Sequence, residues 1–215
     1  MKIKYLGHSS LLISSKDNVK IITDPYTPGH GIAYKAINES ADIVTITHNH
    51  GDHNNIASVK GSPAILREAG SKTIKGIEIK SVSLYHDAAQ GSQRGVNLAF
   101  CLKVDGITVC HLGDLGHTLK PEQISAIGQV DILLIPVGGF FTIDAKEASV
   151  VAKSLKSKVI IPMHYKTPKA DFPIAAVDEF LKDKKNVRRL NSSEVEFNSD
   201  TLPKETEIIV LQPAL

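Results

Sequence analysis

Short apolar runs, separated by glycine, asparagine and aspartate, recur along the chain and predict strands. The run over 42–47 is rich in β-branched residues, which is typical of a strand buried on both faces. The predicted strands cover 2–6, 10–15, 18–24, 42–47, 63–67, 72–75, 77–85, 131–137, 158–162, 194–197 and 205–211.

A hairpin is predicted near the middle of the chain. Asp105-Gly106 is a two-residue turn signal between alternating runs over 97–104 and 107–112. This turn sets Cys101 opposite Cys110. A disulfide between them is sterically conceivable, but in a reducing compartment we expect two free thiols.

Helices are predicted where start signals precede an apolar pattern. Pro121 suits the first turn of a helix, and Asp144 with Glu147 three residues later resembles a capping box. Asn54 or Asn55 can cap a short helix. A short helix is predicted to begin at residue 56, and three further helices are predicted over 121–127, 144–156 and 174–184.

The order of elements favours one α+β domain over residues 1–215. A chain of 215 residues is long enough for one large core. Its two halves resemble each other loosely, each running from strands to a polar loop and a helix. This order predicts two sheets packed back to back with helices outside.

Composition and charge are ordinary for a globular protein: 42% of residues are hydrophobic, 22% are charged, and the net charge is +2. One basic run covers 182–189, but no aromatic residues are interleaved to stack on bases. We interpret it as a solvated helix end and loop. Nucleic acid is therefore not an expected partner.

The start of the chain predicts a strand and not an export signal. Residues 1–7 contain neither an apolar signal core nor a small-residue cleavage site. No stretch approaches the roughly 20 apolar residues of a membrane span. We therefore expect a cytoplasmic protein with no membrane partner.

The most informative segment is His48-Asn49-His50-Gly51-Asp52-His53, which follows the strand predicted over 42–47. The chain has only nine histidines, and three of them lie here at fixed offsets from an aspartate. Imidazole and carboxylate are the ligands that divalent transition metals prefer. The donors outnumber what one ion needs, which suggests two ions.

Further His and Asp residues follow the ends of other predicted strands: Asp24, His86, Asp114 and His164. Side chains at strand tips are held by a rigid scaffold and stay open to substrate. Any one of these alone would more often be an ordinary strand-end turn. Taken with the motif, they predict a shared metal site.

This arrangement resembles the metallo-β-lactamase superfamily, whose pattern is Asp, then HxHxDH, then single His, Asp and His at strand ends. Every position is filled in order across residues 24–164. The nearest resemblance is to a branch that includes ascorbate-6-phosphate lactonase and bacterial and archaeal Zn-dependent hydrolases. The motifs that carry it are Tyr5-Leu6-Gly7-His8-Ser9, His111-Leu112-Gly113-Asp114, Pro136-Val137-Gly138-Gly139 with Thr142, and Pro162-Met163-His164-Tyr165.

The resemblance implies a four-layer αββα sandwich, with two mixed sheets back to back and outer helices, and a site for two divalent cations. Zn²⁺ is the expected metal, with Mn²⁺ or Fe²⁺ as alternatives. Asp24 would orient the motif loop, and Asp114 would bridge both ions. The first ion would be bound by His48, His50 and His86, and the second by Asp52, His53 and His164.

Three residues are candidates for catalytic roles beyond metal binding. Asp52 and His8 could act as general acid or proton shuttle, and Tyr165 could supply a hydroxyl near the developing oxyanion. His8 could equally be a buried structural histidine. Asp87 competes with His86 as a ligand.

Three other histidines have simpler interpretations. His111 is more typical of a structural residue, and His30 and His117 of surface loops.

The predicted function is a dinuclear metal-dependent hydrolase. A bridging hydroxide would attack an ester, lactone or phosphodiester centre of a small substrate. The sequence leaves open whether the substrate is anionic, because Arg94, Lys166 and Lys169 lie in predicted pocket loops, although each is more typical of a surface charge. It also leaves open whether the protein forms a homo-oligomer.

Three other functions are alternatives to a dinuclear hydrolase. An RNA- or DNA-processing phosphodiesterase would need an RNA-binding insert, for which the 50 residues between Asp114 and His164 leave no room. A di-iron oxidoreductase of this superfamily would carry Glu where this chain has Asn49. A non-catalytic metal-binding protein is the third alternative.

Overall fold

A computed structural model describes all of residues 1–215, and fourteen strands make up two sheets. The strands are β1 (Lys2–Gly7), β2 (Ser10–Ser14), β3 (Lys20–Thr23), β4 (Ile43–Thr45), β5 (Ala64–Leu66), β6 (Gly70–Ile74), β7 (Ile77–Tyr85), β8 (Val96–Val104), β9 (Ile107–His111), β10 (Ile132–Pro136), β11 (Val159–Met163), β12 (Val187–Arg189), β13 (Glu194–Glu196) and β14 (Glu207–Val210). The helices are α1 (Pro121–Ile127), α2 (Ala145–Leu155) and α3 (Val177–Leu181).

Both sheets are mixed, as predicted. The six-stranded sheet has the order β13-β1-β2-β3-β4-β5 and is parallel only from β3 to β5. The eight-stranded sheet has the order β12-β14-β11-β10-β9-β8-β7-β6 and is parallel from β12 to β9. The two parallel regions place the ends of β3, β4, β9, β10 and β11 where loops can build a site.

The main core lies between the sheets. Alternate residues of the six-stranded sheet, such as Ile13, Ile21 and Ile43, join a cluster of 46 buried residues with the strands of the other sheet. The opposite face of the same strands, including Leu12 and Val44, packs in a second cluster of 12 residues. Apolar side chains from the segment between β3 and β4 complete that second cluster.

The helices pack on the eight-stranded sheet. α1 contacts β7, and α2 contacts β10 and α3. The predicted capping box is present at α2, where the Asp144 side chain accepts hydrogen bonds from the backbone N–H groups of Lys146 and Glu147. The α+β sandwich predicted from the sequence is confirmed. None of the helices has the length and apolar content needed to cross a membrane.

Three local predictions need correction. The helix predicted over 174–184 is only α3, because the backbone N–H of Ala175 donates to Gly138 O and that of Lys166 to Ala175 O, which holds its start extended. The helix predicted from 56 is one 3₁₀ turn, Ile56–Ser58, without a side-chain cap. The basic run contains β12, which pairs parallel to β14 at the sheet edge.

The predicted hairpin register is confirmed. Cys101 lies opposite Cys110 in the β8–β9 ladder, and both side chains are buried. Their Sγ atoms are 3.5 Å apart, so the Cys101 thiol can donate a hydrogen bond to Cys110, and no disulfide joins them.

Candidate metal centre

Histidine and aspartate side chains from both sheets converge in two groups of metal-type donors that share no residue, and a third group overlaps both. Within each group, the ligand atoms lie within 4.8 Å of one another. One group consists of His48, His50 and His86, and the other of His8, Asp52, His53 and His164. The overlapping group consists of Asp24, His48 and His53.

Asp114 lies between the two groups, directly after β9 and Leu112-Gly113. Its Oδ2 is 3.9 Å from His48 Nε2 and 3.4 Å from His86 Nε2, both in the first group. The same oxygen is 3.3 Å from Nε2 of both His53 and His164, in the second group. One carboxylate oxygen therefore faces imidazoles of both groups, which suits a ligand shared by two ions.

Asp24 holds the motif loop in place, from a left-handed backbone position with φ 38° at the end of β3. Its Oδ1 accepts the backbone N–H of Thr47 at 2.8 Å. Its Oδ2 accepts the Thr47 hydroxyl at 2.6 Å and lies 2.9 Å from His53 Nδ1. These contacts leave His53 Nε2 aimed at Asp114, so the side chain acts on the site through the loop.

The donor atoms fit a divalent cation. His48 Nε2, His53 Nε2 and Asp114 Oδ1 are buried and have no hydrogen-bond partner. Buried polar atoms are normally satisfied, and such atoms facing one another indicate an ion that completes the group. The set of imidazoles and carboxylates is also one that zinc and related ions accept.

Asn97, at the start of β8, is a site residue that sequence reasoning missed. Its Oδ1 accepts the backbone N–H of Asp114 at 2.9 Å, and its Nδ2 donates to Leu112 O at 2.8 Å. A Cβ on Gly113, at φ 54°, would collide with Asn97 and Thr47. The sequence signal was a lone asparagine at the start of an apolar predicted strand, and the structure shows it fully buried.

Burial and the clustering of like groups perturb the titration of the imidazoles. Burial, followed by the neighbouring His53, lowers the pKa of His48 to about 3. Burial and His164 lower the pKa of His8 to about 4. Both side chains are therefore neutral at pH 7, the form in which imidazole binds metal.

The pKa of His53 shifts upward, in the opposite direction to those of His48 and His8, whereas the pKa of Asp114 shifts downward. Burial lowers the pKa of His53, but Asp114, Asp24 and Asp52 outweigh burial and hold that pKa well above its usual value. Burial likewise raises the pKa of Asp114, yet His164 and His53 keep it well below the normal range. The carboxylates are therefore ionised ligands over the physiological range.

Asp87 does not join the cluster, although it follows His86 directly. Its carboxylate accepts the backbone N–H groups of four residues of the following loop: Ala89, Gly91, Gln93 and Arg94. Burial raises the pKa of Asp87, but these donors outweigh it and lower the pKa overall. Its oxygens are committed to the loop, which leaves His86 as the donor of this pair.

The structure does not bring Tyr165 into the site, which corrects the catalytic role predicted for it. Its hydroxyl donates to Leu211 O at 3.4 Å, and its buried ring lies 6.3 Å from that of Tyr5. β11 ends at Met163, and His164 follows in a left-handed conformation with φ 51°, so its side chain faces the cluster while Tyr165 packs in the main core.

The remaining histidines divide as follows. His8 lies at the centre of the site, with Nε2 3.2 Å from Asp52 Oδ2 and its ring 4.3 Å from that of His164. His111 is buried and pairs with Ser9 O at 2.9 Å. His30 and His117 lie outside the donor groups.

A pocket of about 270 Å³ opens onto the cluster. Five cluster side chains line it: His50, Asp52, His86, Asp114 and His164. Arg94, Phe141 and Phe172 complete the wall. The pocket is of a size for a small molecule, and its floor is the group of metal-type donors.

Comparison with known proteins identifies the family. Residues 2–164 match the model of the β-lactamase superfamily domain. A UPF0173 metal-dependent hydrolase of Pelotomaculum thermopropionicum is 32% identical over 196 residues, covering 78% of this chain and 85% of the relative. The chain belongs to the metallo-β-lactamase superfamily, in the UPF0173 metal-dependent hydrolase family.

Two further relatives agree with this assignment. A UPF0173 metal-dependent hydrolase of Pyrococcus furiosus is 31% identical over 210 residues, covering 85% of this chain and 91% of the relative. The crystal structure of a candidate Zn-dependent hydrolase of the metallo-β-lactamase superfamily from Thermotoga maritima is 39% identical. Its TM-score is 0.83, with 98% of this chain and 97% of that one covered.

The assignment confirms the superfamily predicted from the motifs and makes this chain a metal-dependent hydrolase. These three relatives are not named as lactonases, so the likeness to the ascorbate-6-phosphate lactonase branch remains a prediction.

Proposed function

We propose that this metallo-β-lactamase superfamily member is a dinuclear hydrolase that cleaves an ester, lactone or phosphodiester bond of a small molecule. The observation that carries the proposal is the position of Asp114, whose Oδ2 lies 3.3–3.9 Å from imidazole nitrogens of both donor groups. A single carboxylate between two sets of histidines is how a protein holds two cations close together.

The proposed ligands of each ion come from one of the two donor groups, and His8 is assigned to neither ion. His48, His50 and His86 would bind the first ion, and Asp52, His53 and His164 the second. Asp114 would serve both. Zinc is the metal we propose, because the candidate hydrolase from Thermotoga maritima is described as Zn-dependent, with manganese and iron as alternatives.

When bound, such ions lower the pKa of a water molecule and polarise the oxygen of the bond under attack. The chain supplies the proton handling. Asp52 is only partly buried and lines the pocket, where it can take up a proton from the attacking water or pass one to the leaving group. His8, 3.2 Å from Asp52 Oδ2, would orient that carboxylate and exchange protons with it.

Two features of the site disfavour the alternatives. Asn49, where di-iron members would carry Glu, is exposed and accepts a hydrogen bond from Asn54 Nδ2 at 2.6 Å. The pocket of about 270 Å³ suits a small substrate better than a nucleic acid strand.

The proposal is tested by turnover. The purified protein should be stripped with chelator, reloaded with Zn²⁺, Mn²⁺ or Fe²⁺, and assayed on panels of activated esters, lactones and phosphodiesters. We expect metal-dependent hydrolysis in at least one panel, and its loss in His48→Ala and Asp114→Ala. His30→Ala removes an exposed histidine outside the donor groups and should retain activity. Retained hydrolysis in both ligand variants would remove the assignment.

A further inference from the structure

One wall of the pocket carries a cation with no ionic or hydrogen-bonded partner in the protein. The Arg94 guanidinium lines the pocket beside the cluster and makes neither an ion pair nor a side-chain hydrogen bond. Arg188 and Arg189, by contrast, pair with Glu207 and Asp178. Arg67 has no ion pair either, but it does not line this pocket. An arginine left unpaired next to buried histidines and carboxylates is available to a ligand.

The loop that carries Arg94 is fixed to the metal-type cluster. Asp87 accepts the Arg94 backbone N–H at 2.8 Å and binds three further amides of the same loop. At the loop's end, the His86 N–H donates to Gly95 O at 3.0 Å. The backbone of Arg94 is therefore held at a defined place relative to His86.

Two aromatic rings of the pocket wall link the Arg94 guanidinium to His8 through successive contacts. Arg94 Cζ is 5.6 Å from the centre of the Phe141 ring. Phe141 meets Phe172 edge-on at 6.1 Å, and Phe172 lies 5.6 Å from the His8 ring. The cation–π contact orients the planar guanidinium while its N–H groups remain free to donate.

We propose that Arg94 binds an anionic group of the substrate, a carboxylate or phosphate away from the bond that is cleaved. Phe141 and Phe172 flank the apolar or planar part of the molecule between that anion and the cluster. The substrate is thus a small organic anion. This inference rests on the proposed function for the site of cleavage, and Arg94 is its specificity-determining residue.

The first test measures binding to the metal-loaded protein by calorimetry, with 4-nitrobenzoate and phenylphosphonate as anionic probes and 4-nitrobenzamide as the neutral one. Arg94→Gln should weaken the binding of both anions about tenfold and leave the affinity for the amide unchanged. Arg94→Lys should retain part of the affinity, because it keeps the charge but loses the planar fork. Arg188→Gln, an exposed arginine on β12, is the matched control and should change nothing.

The outcomes separate the possible sites of anion binding. Equal affinity of Arg94→Gln and wild type for the anions would place them on the metal ions alone and overturn the inference. The inference is also overturned if the wild type binds the anions no more tightly than the amide, or binds none of the probes. If only one anion depends on Arg94, that result assigns the substrate as a carboxylate or as a phosphate.

A kinetic arm uses two esters of similar length, the 4-nitrophenyl monoester of adipic acid and 4-nitrophenyl hexanoate. Arg94→Gln should raise KM for the adipate monoester about tenfold with little change in kcat, and leave the hexanoate unaffected. Hydrolysis of neither ester by the wild type would count against ester cleavage in the proposed function. The binding comparison would still decide the role of Arg94.

Discussion

At the scale of single residues, the chemical preference of a side chain and its direction in the fold have different origins. Histidines and aspartates at fixed spacing carry a chemical preference that is independent of their surroundings. The direction of a side chain is not encoded in that way, which is why Tyr165 was misplaced and Asn97 was missed. Whether a group faces the pocket depends on where a strand ends and on the backbone conformation that follows, and the last strand residue is hard to fix from sequence.

Asp24 provides a test of the positioning of the motif loop. It touches the loop through Thr47 and His53 and is not expected to bind metal itself. Asp24→Asn keeps the shape but removes the charge that orients the His53 ring. We expect metal affinity to fall about 10–100-fold, measured by competition with a chromophoric chelator. Unchanged affinity would show that the loop needs no such support.

For Tyr165, unlike Asp24, we predict that substitution has little effect on the site. Because its hydroxyl donates to Leu211 O at a long 3.4 Å, Tyr165→Phe should leave kcat and KM nearly unchanged. Stability should drop by no more than about 1 kcal/mol, measured by urea denaturation. A large loss of kcat in a stably folded variant would restore the catalytic role predicted from the sequence.

At the scale of elements, most strands and two of the three α-helices were predicted to within two residues. Alternation and β-branched content locate a strand within a residue or two, since both reflect its burial. The helix expected over 174–184 fails because hydrogen bonds from distant backbone groups keep its first residues extended. β12 was missed because its three residues are held only by pairing with β14 at an edge, with little apolar signal.

The loop between β7 and β8 supports a prediction of its own. Four of its backbone amides donate to the Asp87 carboxylate. Asp87→Ala removes the two carboxylate oxygens that accept all four hydrogen bonds, so these amides should exchange with deuterium much faster than in wild type. Amides of α2, whose cap is independent of this loop, are the internal control. Unchanged exchange in the loop would show that other contacts hold it.

At the scale of the whole molecule, the decisive feature could not be derived from spacing. The donors come from the ends of strands in two different sheets, and only the packing of those sheets brings them together. The motif 48–53 supplies local geometry, whereas His86, Asp114 and His164 are placed by long-range topology. The sequence indicated the convergence through donors at predicted strand ends and through the resemblance to a known superfamily, and neither gave its geometry.

The strand ends also carry the strain of this arrangement. His8, Asp24 and His164 all adopt left-handed backbone conformations, with φ of 55°, 38° and 51°. Residues other than glycine rarely adopt such values, and they concentrate at functional sites where the surrounding fold enforces them. The two sheets thus determine both the position of the donors and their direction.

The most direct measurement is the metal content of the protein, by elemental analysis after purification without chelators and reloading. We predict about two divalent ions per chain in the wild type, and about one in His86→Ala and in His164→Ala, which each remove a ligand from one group only. A folded wild type that binds no metal, or variants that bind as much as the wild type, would contradict the convergence of these side chains on two cations.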